Sequence, residues 1–264
     1  MTDTPQDELR RCPFCDEEIR IKAMICKHCQ QWMPGYTYES AIRDLVVQKQ
    51  VTDRTVTTVQ EDMVSREGQL RLAINWAQSD KSVSFNGFDL SVQNLEGVDL
   101  SGADLQGANL REANLNRANL KGANLTRANL FRTTMRGANL RKAKLPDAYL
   151  REVVLEHADL SGCSMLRADL RAAFMDHSVL YRVDLEGANL KTADLRSANM
   201  KESYLKETNL SATKMEDANL KGALLIRTNF TGADIERYQY EQARTIENII
   251  IPNGKTFNRP EDTK

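Results

Sequence analysis

A large apolar side chain recurs at every fifth position from Phe85 to Ile235, and the spacing never slips. These 31 centres are mostly leucine, and the residue two positions before a centre is usually small, as at Ala103 and Ala108. A period of five fits neither the helical repeat of 3.6 residues nor the alternation of a strand. The chain is therefore predicted to turn a corner every five residues, so that four corners close a square coil of 20 residues.

Stacking such coils by strand-like pairing would bury the centres and the small residues along one axis. The 31 units make about 7.75 coils, which at a strand spacing of about 4.8 Å gives a rod about 37 Å long. Each buried leucine contributes on the order of 1.5–3 kcal/mol relative to exposure, before ordering entropy. The Asn and Asp residues that precede the centres are interpreted as partners of corner backbone groups and not as catalytic carboxylates. Cys163, at an inward small position, is interpreted as a packed thiol.

The repeated unit Ala-(Asp/Asn)-Leu-x-x, clear in Ala-Asn-Leu-Lys-Gly-Ala-Asn-Leu at 118–125, resembles the pentapeptide repeat family. That resemblance implies an all-β solenoid, a right-handed quadrilateral β-helix. Changes in punctuation and periodicity divide the chain into four segments. We assign 1–35 to a zinc ribbon, 36–82 to a helical connector and N-terminal cap, 83–235 to the β-helix, and 236–264 to a C-terminal cap of a short helix plus a strand. A dimeric coiled coil is an alternative for the connector.

Two Cys-x-x-Cys pairs, separated by ten residues, lie near the N-terminus. Paired thiolates on two tight turns complete a tetrahedral zinc site, and four cysteines leave no open position for catalysis. Because about 30 residues cannot build a sufficient core, the metal would supply the folding energy. The segment resembles small bacterial zinc ribbons. We expect one structural Zn²⁺ per chain, with a redox role for the pairs as the alternative; the four ligands are Cys12, Cys15, Cys26 and Cys29.

The net charge of −1 and a pI near 6.4 argue against a general attraction to nucleic acid or membranes. The N-terminal residues lack the basic and apolar regions of a signal peptide, and the chain lacks an apolar stretch of about 18–20 residues. We therefore expect a soluble cytoplasmic protein without a membrane partner.

Residues 20 apart should stack, so the outer faces of the rod can be read from the sequence. One column, which includes Arg151, Arg171 and Lys191, is mostly basic, and His157 and His177 form a stacked pair. Thr134, Val154 and Phe174 occupy positions where the repeat prefers Asn or Asp. Apolar residues beside basic ones are typical of a protein-contact patch. Sequence drift and coverage by residues 36–82 are the two alternatives. The partner-binding hypothesis rests on Arg151, Val154, His157, Arg171, Phe174, His177 and Lys191.

We predict a non-enzymatic interaction or scaffold protein that recognises a protein partner, because no arrangement of nucleophile, base and acid stands out in the sequence. The alternative is a nucleic-acid-associated protein whose basic columns touch phosphates. The resemblance adds a topoisomerase-interacting regulator with an acidic surface, but residues 83–235 carry 20 Lys and Arg against 19 Asp and Glu. A homodimer formed through residues 236–264 is a further alternative that the resemblance brings in.

Overall fold

The computed structural model describes residues 64–79, 81 and 83–259, together with the backbone of Leu9–Arg11 and Glu18–Arg20. The chain divides into two compact units, Met1–Leu72 and Ala73–Lys264. The four predicted zinc ligands and residues 36–63 of the predicted connector lie outside the described residues. No helix in the described part of the chain is long and apolar enough to cross a membrane.

In the first unit, strand β1 (Leu9–Arg11) pairs antiparallel with β2 (Glu18–Arg20). The register places Leu9 opposite Arg20 and Arg11 opposite Glu18. Residues 12–17, which include the first cysteine pair, therefore connect two hydrogen-bonded strands. Helix α1 (Arg66–Ile74) follows later in the chain and continues into a short 3-10 helix, Trp76–Gln78.

The second unit is a β-helix in which residues 20 apart pair in parallel. Asp89 pairs with Asn109 and Asn109 with Asn129, and the same spacing continues to the pair Lys214 and Asp234. The N–H of Leu90 donates to the carbonyl of Asn109 at 2.8 Å, and the N–H of Asn109 donates to the carbonyl of Phe88 at 2.8 Å. Each coil is thereby held to the next along its extended segments, as the sequence predicts.

The core is the axis of this stack. Every apolar centre from Phe85 to Phe230 is at most 1% exposed, and Ile235 is 8% exposed. The small residues two positions earlier, such as Ala103 and Ala108, are also fully buried. Burial confirms the inward positions that the five-residue period predicts, and side-chain packing along the axis is the main source of stability.

Each corner uses a residue with positive φ two positions after the centre. At the corner after Leu100, Gly102 has a φ of 70° and the N–H of Ala103 donates to the carbonyl of Leu100 at 3.1 Å. Many corners place a residue with a side chain in the same left-handed conformation, including Arg117 at 58°. A non-glycine residue in this region costs about 1–2 kcal/mol, so the stacked coils must hold these corners in place.

At the N-terminal end of the β-helix, Trp76 lies against the first coil. Its ring meets the ring of Phe85 edge-on, with 4.9 Å between centroids, and Phe85 meets Phe88 in the same way at 5.2 Å. The indole Nε1–H of Trp76 donates to the carbonyl of Ser101 at 3.2 Å. The indole therefore covers apolar surface of the first coil and also satisfies one of its backbone carbonyls.

The C-terminal end departs from the spacing of 20. After β3 (Leu224–Ile226), helix α2 (Arg237–Glu241) takes the chain across one side, and β4 (Thr245–Glu247) then pairs with β3 in parallel. Leu225 pairs with Ile246, a spacing of 21. Strand β5 (Ile249–Ile250) continues this last coil, and β6 (Thr256–Phe257) folds back onto β5 antiparallel. The predicted helix-and-strand ending thus contains three short strands after the helix.

A buried glutamine seals the coil beneath α2. Gln239 is 3% exposed, and its Nε2 donates to the carbonyls of Met215 at 2.7 Å and Ala218 at 2.9 Å. In the preceding coil, the carbonyl of Ala198 accepts from the backbone N–H of Asn219, 21 residues later. Gln239 stands 21 residues after Ala218, so its side-chain amide replaces the backbone donor that a further coil would have supplied.

Replacing Gln239 with alanine is expected to leave the Ala218 carbonyl buried without this partner. The cost of such a group is about 1–3 kcal/mol, and Tm falls by about 2–4 °C for each kcal/mol in a domain of this size. The matched control is Gln242→Ala, because the Gln242 amide makes only an exposed bond to the Tyr238 carbonyl. Thermal unfolding followed by circular dichroism measures both variants, and equal shifts would contradict the sealing role.

Candidate interaction face

The residue before each centre points outward and, when it is Asn or Asp, serves the backbone of the following corner. The side-chain Oδ1 of Asn109, for example, accepts from the N–H of Arg111 at 3.3 Å. Its Nδ2 donates to Asp89 Oδ1 in the preceding coil at 3.0 Å. The side chain thus supports a corner and links two coils, which explains why the repeat prefers short polar residues here.

One outer column loses this polar ladder over three consecutive coils. The ladder runs from Asn94 to Asn114 and ends at Thr134, whose Oγ1 contacts Asn114 Oδ1 at 3.3 Å. Val154 and Phe174 follow in the same column and pair with each other in parallel. Val154 is half-buried, whereas 45% of Phe174 is exposed. The structure therefore places the predicted apolar residues side by side on one face of the β-helix.

The corner that precedes this face carries Arg151, Arg171 and Lys191, and both arginines make contacts on the neighbouring face. Arg171 binds Asp169 with both nitrogens, Nε to Oδ1 at 2.8 Å and Nη2 to Oδ2 at 2.6 Å. Arg151 donates through Nη1 to the hydroxyl of Tyr149 at 3.2 Å. Because the Asp169 carboxylate takes up the Arg171 guanidinium, the predicted donors of this corner reduce to Arg151 and Lys191.

Arg151 belongs to a cluster of rings and guanidinium groups that the sequence analysis did not identify. The rings of Phe131 and Tyr149 lie 5.9 Å apart, and the guanidinium groups of Arg111 and Arg132 lie 5.4 and 4.9 Å from the Phe131 centroid. The Nε of Arg151 is buried without a hydrogen-bond partner. Phe131, Tyr149 and Arg151 meet because they flank one corner in successive coils, which a search at spacings of 18 and 20 would have found.

Ion pairs between coils neutralise much of the surface. Arg132 and Glu152, 20 residues apart, lie 2.8 Å from each other, and the same spacing recurs at other corners. Arg111 and Arg141, which belong to the predicted basic columns, pair with Glu112 and Asp159. These columns therefore present fewer free cations than the sequence indicates, and they do not favour the nucleic-acid alternative. Further pairs at this spacing are Arg136–Glu156, Asp147–Arg167, Arg182–Glu202, Glu186–Lys206 and Glu207–Arg227.

The electrostatics of the Asp194 column follow from these contacts. The hydrogen bond from the Arg196 guanidinium holds the pKa of Asp194 below its ordinary value, although partial burial opposes the shift. At Asp169, burial also opposes ionisation, but the hydrogen bonds from Arg171 prevail and lower the pKa. Both carboxylates are therefore charged and engaged at neutral pH.

The corner that follows the apolar face carries His157 and His177. Their rings stack with 5.1 Å between centroids and a tilt of 33°, as their spacing of 20 predicts. Asp176 lies beside them, with its Oδ2 3.3 Å from His177 Nδ1. All seven predicted partner-binding residues therefore lie on this face or its two corners, although the arginines turn away from Phe174.

Cys163 is the cysteine that the structure describes, and it is a buried core residue. The side chain is 1% exposed, and its Sγ lies 2.7 Å from the Leu140 carbonyl. Burial raises the pKa of the thiol to about 12. A neutral, enclosed thiol is a poor nucleophile, in agreement with the predicted packing role.

Cys163 is therefore expected to resist iodoacetamide at pH 8 in the folded protein and to react once the chain is unfolded. Because its pKa is higher in the folded state, its contribution to stability is complete below the unfolded value near 9 and is lost as pH rises towards about 12. Peptide mass spectrometry of the Cys163 peptide, with and without denaturant, measures the labelling. Equal labelling in both states would contradict the assignment.

The profile of the family described as Pentapeptide repeats matches eight copies between residues 82 and 237. Proteins of this family with known structure form right-handed β-helices. HetL, a pentapeptide repeat protein involved in heterocyst differentiation regulation from Nostoc sp. strain PCC 7120, is 26% identical, with 71% of this chain and 97% of HetL covered and a TM-score of 0.26. No curated protein sequence matches the chain.

Two further solved structures are similar to the chain. QnrB1, a plasmid-mediated fluoroquinolone resistance protein, is 16% identical over 64% of this chain and 84% of its own, with a TM-score of 0.40. A pentapeptide repeat protein from the Arabidopsis thaliana thylakoid lumen is 20% identical over 64% of this chain and 83% of its own, with a TM-score of 0.20.

Proposed function

Because this chain belongs to the pentapeptide repeat family, we propose that it is a non-enzymatic interaction protein whose β-helix holds a protein partner at the face of Thr134, Val154 and Phe174. The observation that carries this proposal is the 45% exposure of Phe174 at a position that the repeat normally gives to Asn or Asp. The ring is neither packed in the core nor needed to turn the corner, so its apolar surface is available to a partner.

The surroundings of Phe174 define the chemistry of that partner. Val154 extends the apolar strip by one coil, and Arg151 and Lys191 on the preceding corner make no ion pair within the described residues. An apolar anchor beside unpaired cations fits a segment that carries an apolar side chain and carboxylates. Rigid coils hold these groups at fixed spacings, so the partner meets a surface that is already ordered.

The described groups that resemble catalytic residues are occupied by structural roles. The carboxylates before the centres accept bonds from corner N–H groups, as Asp159 does from Ser161 at 2.9 Å. Asp169 and Asp194 also bind guanidinium groups, and the Cys163 thiol is buried. These occupations support a binding function for the β-helix.

Replacing Phe174 with asparagine is expected to weaken partner capture while Tm stays equal or rises. The new amide would accept from the N–H of Asp176, as the equivalent residues do at other corners, and such a bond contributes about 0.5–1.5 kcal/mol. The matched control is Tyr204→Asn, because Tyr204 is 48% exposed at the same repeat position on another face.

Quantitative pull-downs with the three proteins, compared by mass spectrometry, measure the loss. Partners that Phe174→Asn loses by about tenfold or more, and Tyr204→Asn retains, are the expected result for a desolvated aromatic anchor. Equal capture by both variants would contradict the assigned face. A marked fall in Tm for Phe174→Asn would instead favour coverage by the chain's own residues.

The N-terminal segment 1–35 is proposed to be a structural zinc ribbon with one Zn²⁺. Strands β1 and β2 support the proposal, since Cys12 and Cys15 stand in the connection between them, an arrangement that holds two thiolates at one end of a hairpin. Cys26 and Cys29 supply the second pair in sequence. When bound, zinc would tie the two pairs together and stabilise a segment too short for a core of its own.

Elemental analysis of the purified full chain is expected to give one zinc per chain. The double variant Cys12→Ser, Cys29→Ser removes two of the four proposed thiolate ligands and should lose this metal, whereas Cys163→Ser should keep it because that thiol lies on the axis of the β-helix. Unchanged zinc content in the double variant would show that the ribbon assignment is wrong. The cytoplasmic location and the homodimer through residues 236–264 stay predictions.

A further inference from the structure

Two histidines and an aspartate meet at one corner of the β-helix. His157 and His177 occupy the same corner position in successive coils, with φ values of 57° and 56°. One ligand atom from each of His157, Asp176 and His177 can be chosen so that all three lie within 4.8 Å of one another. The corners that carry them are hydrogen-bonded to each other, with the His157 N–H donating to the Asp176 carbonyl at 3.2 Å. The backbone therefore brings the three side chains together.

The separations suit a divalent transition metal ion. Bonds of about 2.0–2.1 Å to a tetrahedral zinc place neighbouring donor atoms about 3.3 Å apart. His177 Nδ1 and Asp176 Oδ2 already stand 3.3 Å apart. The two rings are exposed, so rotation about their side-chain bonds can close the remaining distances. Imidazole nitrogens with one carboxylate are the ligands that zinc, nickel and copper prefer over calcium or magnesium.

The surrounding charges leave the cluster open to a cation. The nearest basic groups are engaged, since Arg196 binds Asp194 through two bonds of 2.7–2.8 Å and Arg136 binds Glu156 at 3.0 Å. A cleft of about 260 Å³ lies beside the cluster. The cleft gives room for water at the remaining coordination positions, and its acidic lining lowers the electrostatic cost of a cation; it is lined by Asp176, His177, Arg196, Ser197, Glu216 and Asp217.

We propose that His157, Asp176 and His177 form a second metal site, which binds a divalent transition metal ion such as Zn²⁺ with its open positions towards this cleft. The site lies on the β-helix and differs from the cysteine ligands in both donor chemistry and coordination. A four-thiolate site is closed, whereas two imidazoles and a carboxylate leave at least one position for water or for a ligand atom of a partner.

Calorimetric titration of Zn²⁺ into the full chain, first loaded with one equivalent of zinc, tests the site. The expected result is one further binding event with a stoichiometry of one. His157→Asn and His177→Asn should each weaken that event at least about tenfold, since even partners outside the ligand sphere cost 10–100-fold. Asparagine tolerates the left-handed corner conformation, so the fold is preserved.

The matched control is Ala172→Asn, which introduces the same side chain at a corner with a φ of 56° and removes no ligand. This variant should bind the second zinc as the parent chain does. Absence of a second event, or an event that survives in the double variant His157→Asn, His177→Asn, would overturn the proposal. Failure of the zinc ribbon is distinguishable, because the cysteine variants abolish a different event that the histidine variants leave intact.

Discussion

The parallel pairing of each residue with the residue 20 positions later is the interaction on which the rest of the structure depends. A coil can pair with its neighbour along all four sides only if both have the same length. One inserted residue would move an inward leucine to the surface and break the register of every later coil. This requirement explains why the five-residue spacing runs from Phe85 to Ile235 without an interruption. The spacing changes to 21 only where α2 ends the regular stack.

The same pairing separates the residues that specify the fold from those that can vary. Inward positions are filled by leucine and alanine, and the outer position before each centre is filled most stably by Asn or Asp, which bind both the corner and the next coil. Departures from Asn or Asp forgo these bonds. Val154 and Phe174 are consecutive departures in one column, whereas exposed Tyr204 lies on a different face. Consecutive loss of a stabilising contact is the reason for assigning a function to the first group.

Much of the β-helix could be predicted from the sequence because one short-range rule, repeated many times, determines it. The inward leucines, the stacking of His157 on His177 and the column of Val154 and Phe174 all follow from adding five or 20 to a residue number. The same rule gives no direction to long side chains. Arg171 turns to Asp169, two residues earlier, because a bidentate carboxylate lies within its reach on the preceding face.

The ends of the stack were less predictable, because they depend on single contacts that do not repeat. Gln239 is an ordinary helical residue in sequence, and only the backbone of the coil below identifies its amide as a substitute donor. Asp176 likewise meets His177 through local geometry that column spacing does not describe. The four N-terminal cysteines lie outside the described residues, so zinc binding there stays a prediction from their spacing.

The direction of the hydrogen bonds between coils also determines how the β-helix would respond to force. Because these bonds run along the axis, tension applied to its two ends loads the terminal coil and leaves the inner coils almost unstressed. The coils would then peel away one after another. Each 20-residue coil would release about 65 Å of chain, at about 3.3 Å per extended residue. Such a solenoid lengthens in discrete steps under tension, and each folded remainder keeps its shape.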